Sequence, residues 1–210
     1  MTNRKLVRGD FLERLKEIAR QRPAGILLRE KDLTPEEYRK LAREVQSICK
    51  KAGVPCILHS FTGVAEELEA DALHLPLPLL RKLPGEDRGR FRQLGASCHS
   101  VADAREAQSL GCTYITAGHI FDTDCKRGLP GRGLDFLREV CGAVTIPVYA
   151  IGGIEPKRMA EIFAAGAAGA CVMSGPMVCE DVGTYFADFA GAGKAAAAAV
   201  SGETEAPSEK

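Results

Sequence analysis

Four histidines occur in this 210-residue chain, at His59, His74, His99 and His119. An imidazole can accept and return a proton near neutral pH, and it can ligate a metal. The densest polar signal surrounds the last of them. Gly118-His119-Ile120-Phe121-Asp122-Thr123-Asp124-Cys125-Lys126-Arg127-Gly128-Leu129-Pro130-Gly131-Arg132-Gly133 places a histidine ahead of a long loop rich in Gly, Lys and Arg. Loops of this length inside compact folds usually carry function. Lys126 and Arg132 offer positive charge to an anionic substrate. Two glycine turns point to phosphate. Ile151-Gly152-Gly153-Ile154 and Met173-Ser174-Gly175-Pro176 each lead into a helix, where backbone N–H groups face an anion. Neither is a P-loop or a dinucleotide fingerprint.

Position along the chain sharpens these signals. Short apolar runs at 25–29, 56–59, 72–75, 94–97, 114–117, 148–151 and 170–173 read as buried strands. Amphipathic stretches at 10–21, 62–69, 78–93, 100–110, 133–143, 156–165 and 180–190 read as helices. Thr34-Pro35-Glu36-Glu37 opens a further helix, to about Lys51, with an N-cap, a first-turn proline and a capping-box glutamate. Continuous apolar strands alternating with helices suit a parallel sheet covered on both faces. The spacing suggests a doubly wound sheet or a (β/α)8 barrel. A barrel needs an eighth strand, and only the short polar segment Met1–Val7 is left to supply it, so the first strand is expected to be abbreviated. Residues 1–190 then form one domain. Residues 191–210, rich in Ala, Glu and Ser, form a tail expected to be disordered apart from a helical alanine stretch.

On this reading all four histidines fall at the C-terminal strand edge, where parallel α/β folds hold their active sites. Arg29 and Lys31 follow the 25–29 strand on the same edge. A single strand-end histidine is more often a satisfied core residue, and a glycine pair often only permits a tight turn. Four histidines on one edge, and two glycine turns one βα unit apart, favour function.

Composition narrows the partners. Lys+Arg and Asp+Glu both number 28, whereas a nucleic-acid binder carries a basic excess. No apolar run approaches a membrane span, and no apolar segment follows Met1–Lys5 as a secretory signal would. The eight cysteines include no Cys-x-x-Cys spacing, and most sit in apolar runs. A reducing, cytoplasmic setting without disulfides is therefore expected.

Several separated segments together resemble the thiamine phosphate synthase/TenI superfamily of (β/α)8 barrels, over about residues 3–178. They are Leu28-Arg29-Glu30-Lys31, Leu73-His74-Leu75-Pro76, Gly95-Ala96-Ser97-Cys98-His99-Ser100 and the loop from Gly118 to Gly133. The loop is especially similar to the TenI branch. That branch resembles thiazole tautomerases, which aromatise a carboxythiazole phosphate by moving a proton. The resemblance implies His119 as the acid–base group. It implies Arg29, Lys31, His59, Ser97, Thr123, Lys126 and Arg132 as substrate contacts, Gly152, Gly153, Ser174 and Gly175 as the phosphate cradle, and no metal or cofactor. The synthase branch couples a pyrimidine diphosphate to a thiazole phosphate with magnesium. Its strand-four segment typically reads His-Leu-Gly-Gln-x-Asp, whereas here His74-Leu75-Pro76-Leu77-Pro78-Leu79 carries no carboxylate. The synthase's asparagine at the end of strand three is replaced by His59.

The leading expectation is thus a thiazole tautomerase acting on a small phosphorylated thiazole, in a homodimer. The alternative is a thiamine phosphate synthase requiring magnesium. A non-catalytic thiazole-phosphate binder and a histidine-cluster metallohydrolase are further readings.

Overall fold

The computed structural model describes residues 1–123 and 128–201, the last eight of these as backbone alone. Seven strands lie side by side in chain order: β1 (Ile26–Leu28), β2 (Cys56–His59), β3 (Ala72–Pro76), β4 (Gln93–Cys98), β5 (Tyr114–Gly118), β6 (Val148–Ile151) and β7 (Gly169–Cys171). Every neighbouring pair is parallel. The sheet curls into a barrel of the (β/α)8 type whose first strand is abbreviated. Helices α1 (Phe11–Arg20), α2 (Pro35–Ala52), α3 (Thr62–Glu67), α4 (Leu77–Lys82), α5 (Gly85–Arg88), α6 (Val101–Ser109), α7 (Gly133–Ala143), α8 (Met159–Ala164), α9 (Ser174–Val178) and α10 (Val182–Ser201) fill the connections.

Local chemistry sets the boundaries that position the site. Helix α2 starts at the Thr34–Glu37 capping box and stops at Gly53, whose φ of 68° is left-handed. From α2 the fully buried Tyr38 reaches two strand ends at once. Its hydroxyl donates to Leu28 O at 2.7 Å and accepts from His59 N at 2.9 Å, tying the ends of β1 and β2 together.

The single helix expected over 78–93 is instead two short ones, α4 and α5, and residue 93 already belongs to β4. Pro84 causes the break. It lacks an N–H and pushes the residue before it out of the helical region, and Leu83 is extended at φ −72°, ψ 121°. At the other end of the chain the backbone of 191–201 continues helix α10 through the alanine run. Residues 202–210 lie outside the described residues.

The seam between β1 and β7 is bridged by two residues. Met1 N donates to Val172 O at 3.0 Å, and Thr2 N donates to Leu27 O at 2.8 Å. Thr2 Oγ1 accepts from Arg29 N at 3.0 Å and donates to Glu30 Oε1 at 2.7 Å. The Glu30 carboxylate, 2% exposed, also accepts from Arg4 N at 3.0 Å and from the Arg4 guanidinium at 3.1 Å. Two residues cannot fill the width of a strand. A cavity of about 430 Å³ accordingly runs along this seam, between Tyr114 and Tyr149 inside the barrel and Leu15 and Phe186 beneath the helices.

Replacing Thr2 by valine keeps the side chain's shape but removes a donor and an acceptor. The expected cost is about 1–3 kcal/mol, because the Arg29 N–H and a Glu30 oxygen lose a buried partner. Urea unfolding measures it, and an unchanged midpoint would show that the seam does not depend on this hydroxyl.

Candidate active site at the strand ends

Around the C-terminal edge the polar side chains form two groups. The first spans β1 to β4. Arg29 is half-buried just past β1, and Lys31 is exposed two residues on. Partial burial, then the Arg29 charge, lower the Lys31 pKa. Glu30, between them, is committed to Thr2 and Arg4 and leaves this positive pair without an acidic partner among the described residues. His59 ends β2 with its ring buried and its Nδ1 2.6 Å from Ser60 Oγ. Burial first, then the charges of His74, Lys31 and Arg29, hold its pKa down at about 3, so the ring is neutral at physiological pH. The strand register pairs His59 with His74, and the two rings stack with centroids 5.8 Å apart. His74 is fully buried and is likewise held at about 3 by burial. Its Nε2 lies 2.9 Å from Ser97 Oγ, and its Nδ1 lies 3.0 Å from the Tyr114 hydroxyl.

The second group spans β5 to β7. His119 follows β5 across a cis peptide from Gly118 and is 7% exposed. Nε2 sits 3.0 Å from Pro130 O and 3.3 Å from Leu129 O. Both partners are carbonyl oxygens, so Nε2 carries a proton. Nδ1 is buried without a hydrogen-bond partner among the described residues. In a neutral ring it is therefore the basic nitrogen. The loop's ends are stapled by backbone bonds from Phe121 N to Gly152 O, Arg132 N to His119 O and Gly133 N to Ile120 O.

Gly153 shows why glycine is needed beside this loop. Its φ is +64°, and a Cβ there would stand 2.4 Å from Asp122 O. The glycine pair thus lets the histidine loop pack directly on the turn after β6. Register Ile151–Cys171 sets that turn beside Ser174 and Gly175, which open α9. Ser174 is exposed, and Gly175 packs against Tyr185. The two groups meet where His99 Nδ1 donates to Gly118 O at 3.1 Å.

The remaining expected contacts are placed less centrally. Thr123 is half-buried at the edge of the described loop. Lys126 lies outside the described residues. The Arg132 guanidinium stacks on Phe136 of α7, 4.7 Å from the ring centroid. Tyr114, Ser60 and the Leu129 and Pro130 carbonyls were not singled out from sequence. Only the register, which sets Tyr114 opposite Gly95, brings the tyrosine into the network.

Magnesium favours carboxylate and other oxygen ligands. The described strand ends present His59, Ser60, Pro76, Ser97 and Cys98, while Glu30 and Asp32 are held by Arg4 and Asp122 Oδ1 accepts from Gly131 N. No group of three His, Cys, Asp or Glu that could hold a metal occurs among the described residues. These residues do not fit magnesium. Among the described residues, no helix is long and apolar enough to cross a membrane.

A parallel barrel with its titratable groups and glycine turns gathered on the C-terminal edge belongs to the large class of barrel enzymes acting from that face. The family model described as thiamine monophosphate synthase matches residues 1–175, and the chain belongs to that family. A thiamine-phosphate synthase of Moorella thermoacetica is 38% identical over 165 residues, covering 75% of this chain and 76% of the relative. One from Syntrophomonas wolfei is 32% identical over 189 residues, covering 87% and 88%. A solved thiamine phosphate pyrophosphorylase from Pyrococcus furiosus superposes with a TM-score of 0.80 at 26% identity, covering 93% of this chain and 94% of that one.

The two depressed histidines make stability depend on pH. His59 and His74 stay neutral in the fold down to about pH 3. Histidines in the unfolded chain protonate near about 6.5, so between those values the unfolded state binds more protons and stability falls as pH drops. Going from pH 7 to pH 5 is expected to cost about 1–2 kcal/mol per ring, read as a lower urea midpoint. A midpoint that is flat over that interval would show that the rings protonate in the folded protein.

Proposed function

We propose that the protein is a thiazole tautomerase, with His119 moving the proton. The reading rests on one observation: the His119 ring is anchored through Nε2–H to the Pro130 and Leu129 carbonyls, leaving Nδ1 without a competing partner among the described residues, and it requires that substrate binding uncover this enclosed nitrogen. The reaction needs one group of this kind. A proton leaves ring C2 of the non-aromatic carboxythiazole phosphate, and a proton is added at the exocyclic carbon next to C5. The atoms balance without an oxidant or a metal, and product aromaticity drives the change. Nδ1 takes the first proton, and the imidazolium so formed supplies the second. Burial at the loop base keeps bulk water from scrambling the intermediate.

The other groups divide the substrate between them. The glycine turns at Gly152–Gly153, packed against the His119 segment, and at Ser174–Gly175, after the neighbouring strand, take the phosphate through backbone N–H groups. Arg29 and Lys31 have no acidic partner among the described residues and face the carboxylate, Arg29 with a two-pronged donor. His59, neutral beside them, contributes a polar contact without a charge.

The relatives' names favour a second reading, thiamine phosphate synthase, and the comparisons support it more directly than they support tautomerisation. Against it stands the absence, among the described strand-end residues, of a free carboxylate for magnesium.

One pair of assays separates the two. His119→Ala is expected to slow tautomer aromatisation, followed by exchange of the C2 proton in deuterated water, by about 10²–10⁴-fold. Binding of the aromatic product should stay within a few-fold of wild type. Wild-type turnover in that variant would remove His119 from the reaction. Magnesium-dependent formation of thiamine phosphate by the unaltered protein, without tautomerase activity, would establish the synthase reading instead.

A further inference from the structure

The Tyr114–His74–Ser97 chain has a direction, and the direction decides what Ser97 can offer a substrate. His74 is enclosed between two hydroxyls, at 3.0 Å from Nδ1 and 2.9 Å from Nε2. A neutral imidazole has one donor and one acceptor nitrogen, so one hydroxyl must donate to it and the other must accept from it. A phenol is the stronger donor and the weaker acceptor of the two hydroxyls. The Tyr114 O–H therefore goes to Nδ1, and Nε2–H goes to Ser97 Oγ. The Ser97 proton is then left free to point away from His74. Ser97 is half-buried at the end of β4, on the same arc of strand ends as Arg29 and His59.

Gly95 makes the arrangement possible. It pairs with Tyr114 across β4 and β5, and a Cβ on it would stand 2.2 Å from the tyrosine ring. The ring lies over the glycine, and its hydroxyl then reaches β3. A side chain at 95 would push the tyrosine off, and His74 would lose its donor.

We propose that Tyr114 and His74 are positioning residues that hold Ser97 as a hydrogen-bond donor to the carboxylate end of the substrate. The identity of that substrate rests on the tautomerase reading; the polarity of the chain does not. The relay lies wholly within the barrel and is separate from His119.

The test has two arms. In protein labelled with ¹⁵N-histidine, His74 should show a protonated Nε2 and a bare Nδ1 at neutral pH, with no ligand added. Tyr114→Phe should mix the two tautomers. In the second arm, the aromatic thiazole carboxylate phosphate is titrated into variants. Ser97→Ala and His74→Leu should each weaken binding about tenfold, the usual size for a lost hydrogen bond to a charged group. The double variant should bind no worse than Ser97→Ala, since both changes remove one donor. His74→Gln should bind within about threefold of wild type, because the amide accepts from Tyr114 and donates to Ser97. Should His74→Leu fail to fold, Tyr114→Phe and His74→Gln carry the comparison. A protonated Nδ1 in the wild type, unchanged nitrogen shifts in Tyr114→Phe, or additive losses in the double variant would each overturn the relay. If the wild-type protein does not bind the thiazole, the tautomerase reading fails, while the nitrogen shifts still decide the direction of the chain.

Discussion

The mouth of this barrel depends on one buried acid. Glu30 sits between Arg29 and Lys31, almost wholly buried, and takes hydrogen bonds from the Thr2 hydroxyl, the Arg4 amide and the Arg4 guanidinium. A carboxylate removed from water is tolerable only when it is so provided for. By turning to the N-terminal segment, Glu30 closes the seam where a full strand is lacking and leaves the flanking cations without an acidic partner among the described residues. Closure of the fold and charge at the site thus follow from the same side chain.

The interior works by the opposite rule. His59 and His74 are buried in their neutral forms, because desolvation costs the imidazolium more than nearby groups return. Neutral rings can be polarised by hydroxyl partners without adding charge to the core. His119 is different again, with one nitrogen committed to carbonyls and the other without a partner among the described residues. The three histidines of β2, β3 and the segment after β5 thus occupy two kinds of environment, one shared by His59 and His74 and the other held by His119.

Much of the fold was legible in advance. Apolar runs marked all seven strands within a few residues, because a strand buried on both faces has little freedom in composition. The capping box fixed the start of α2, since cap and helix are neighbours in sequence. The amphipathic pattern over 78–93 spans two helices rather than one, because Pro84 is a local signal that overrides pattern. In the site, Arg29, Lys31, His59, Ser97 and the glycine turns could be named from their strand-end positions. Tyr114 could not, because it begins β5 and enters the network only by lying across Gly95 on the adjacent strand.

The order of residues alone determined the alternation of strand and helix, the edge carrying the polar groups and the family resemblance, all of which depend on short-range spacing. Tertiary structure alone decided which histidines are sealed and which nitrogen of His119 is free. It also decided that Met1–Thr2 bridges the seam and that Glu30 faces away from the mouth. Those outcomes depend on burial and on hydrogen-bond partners distant in the chain, and neither quantity exists until the sheet has curled and brought its ends together.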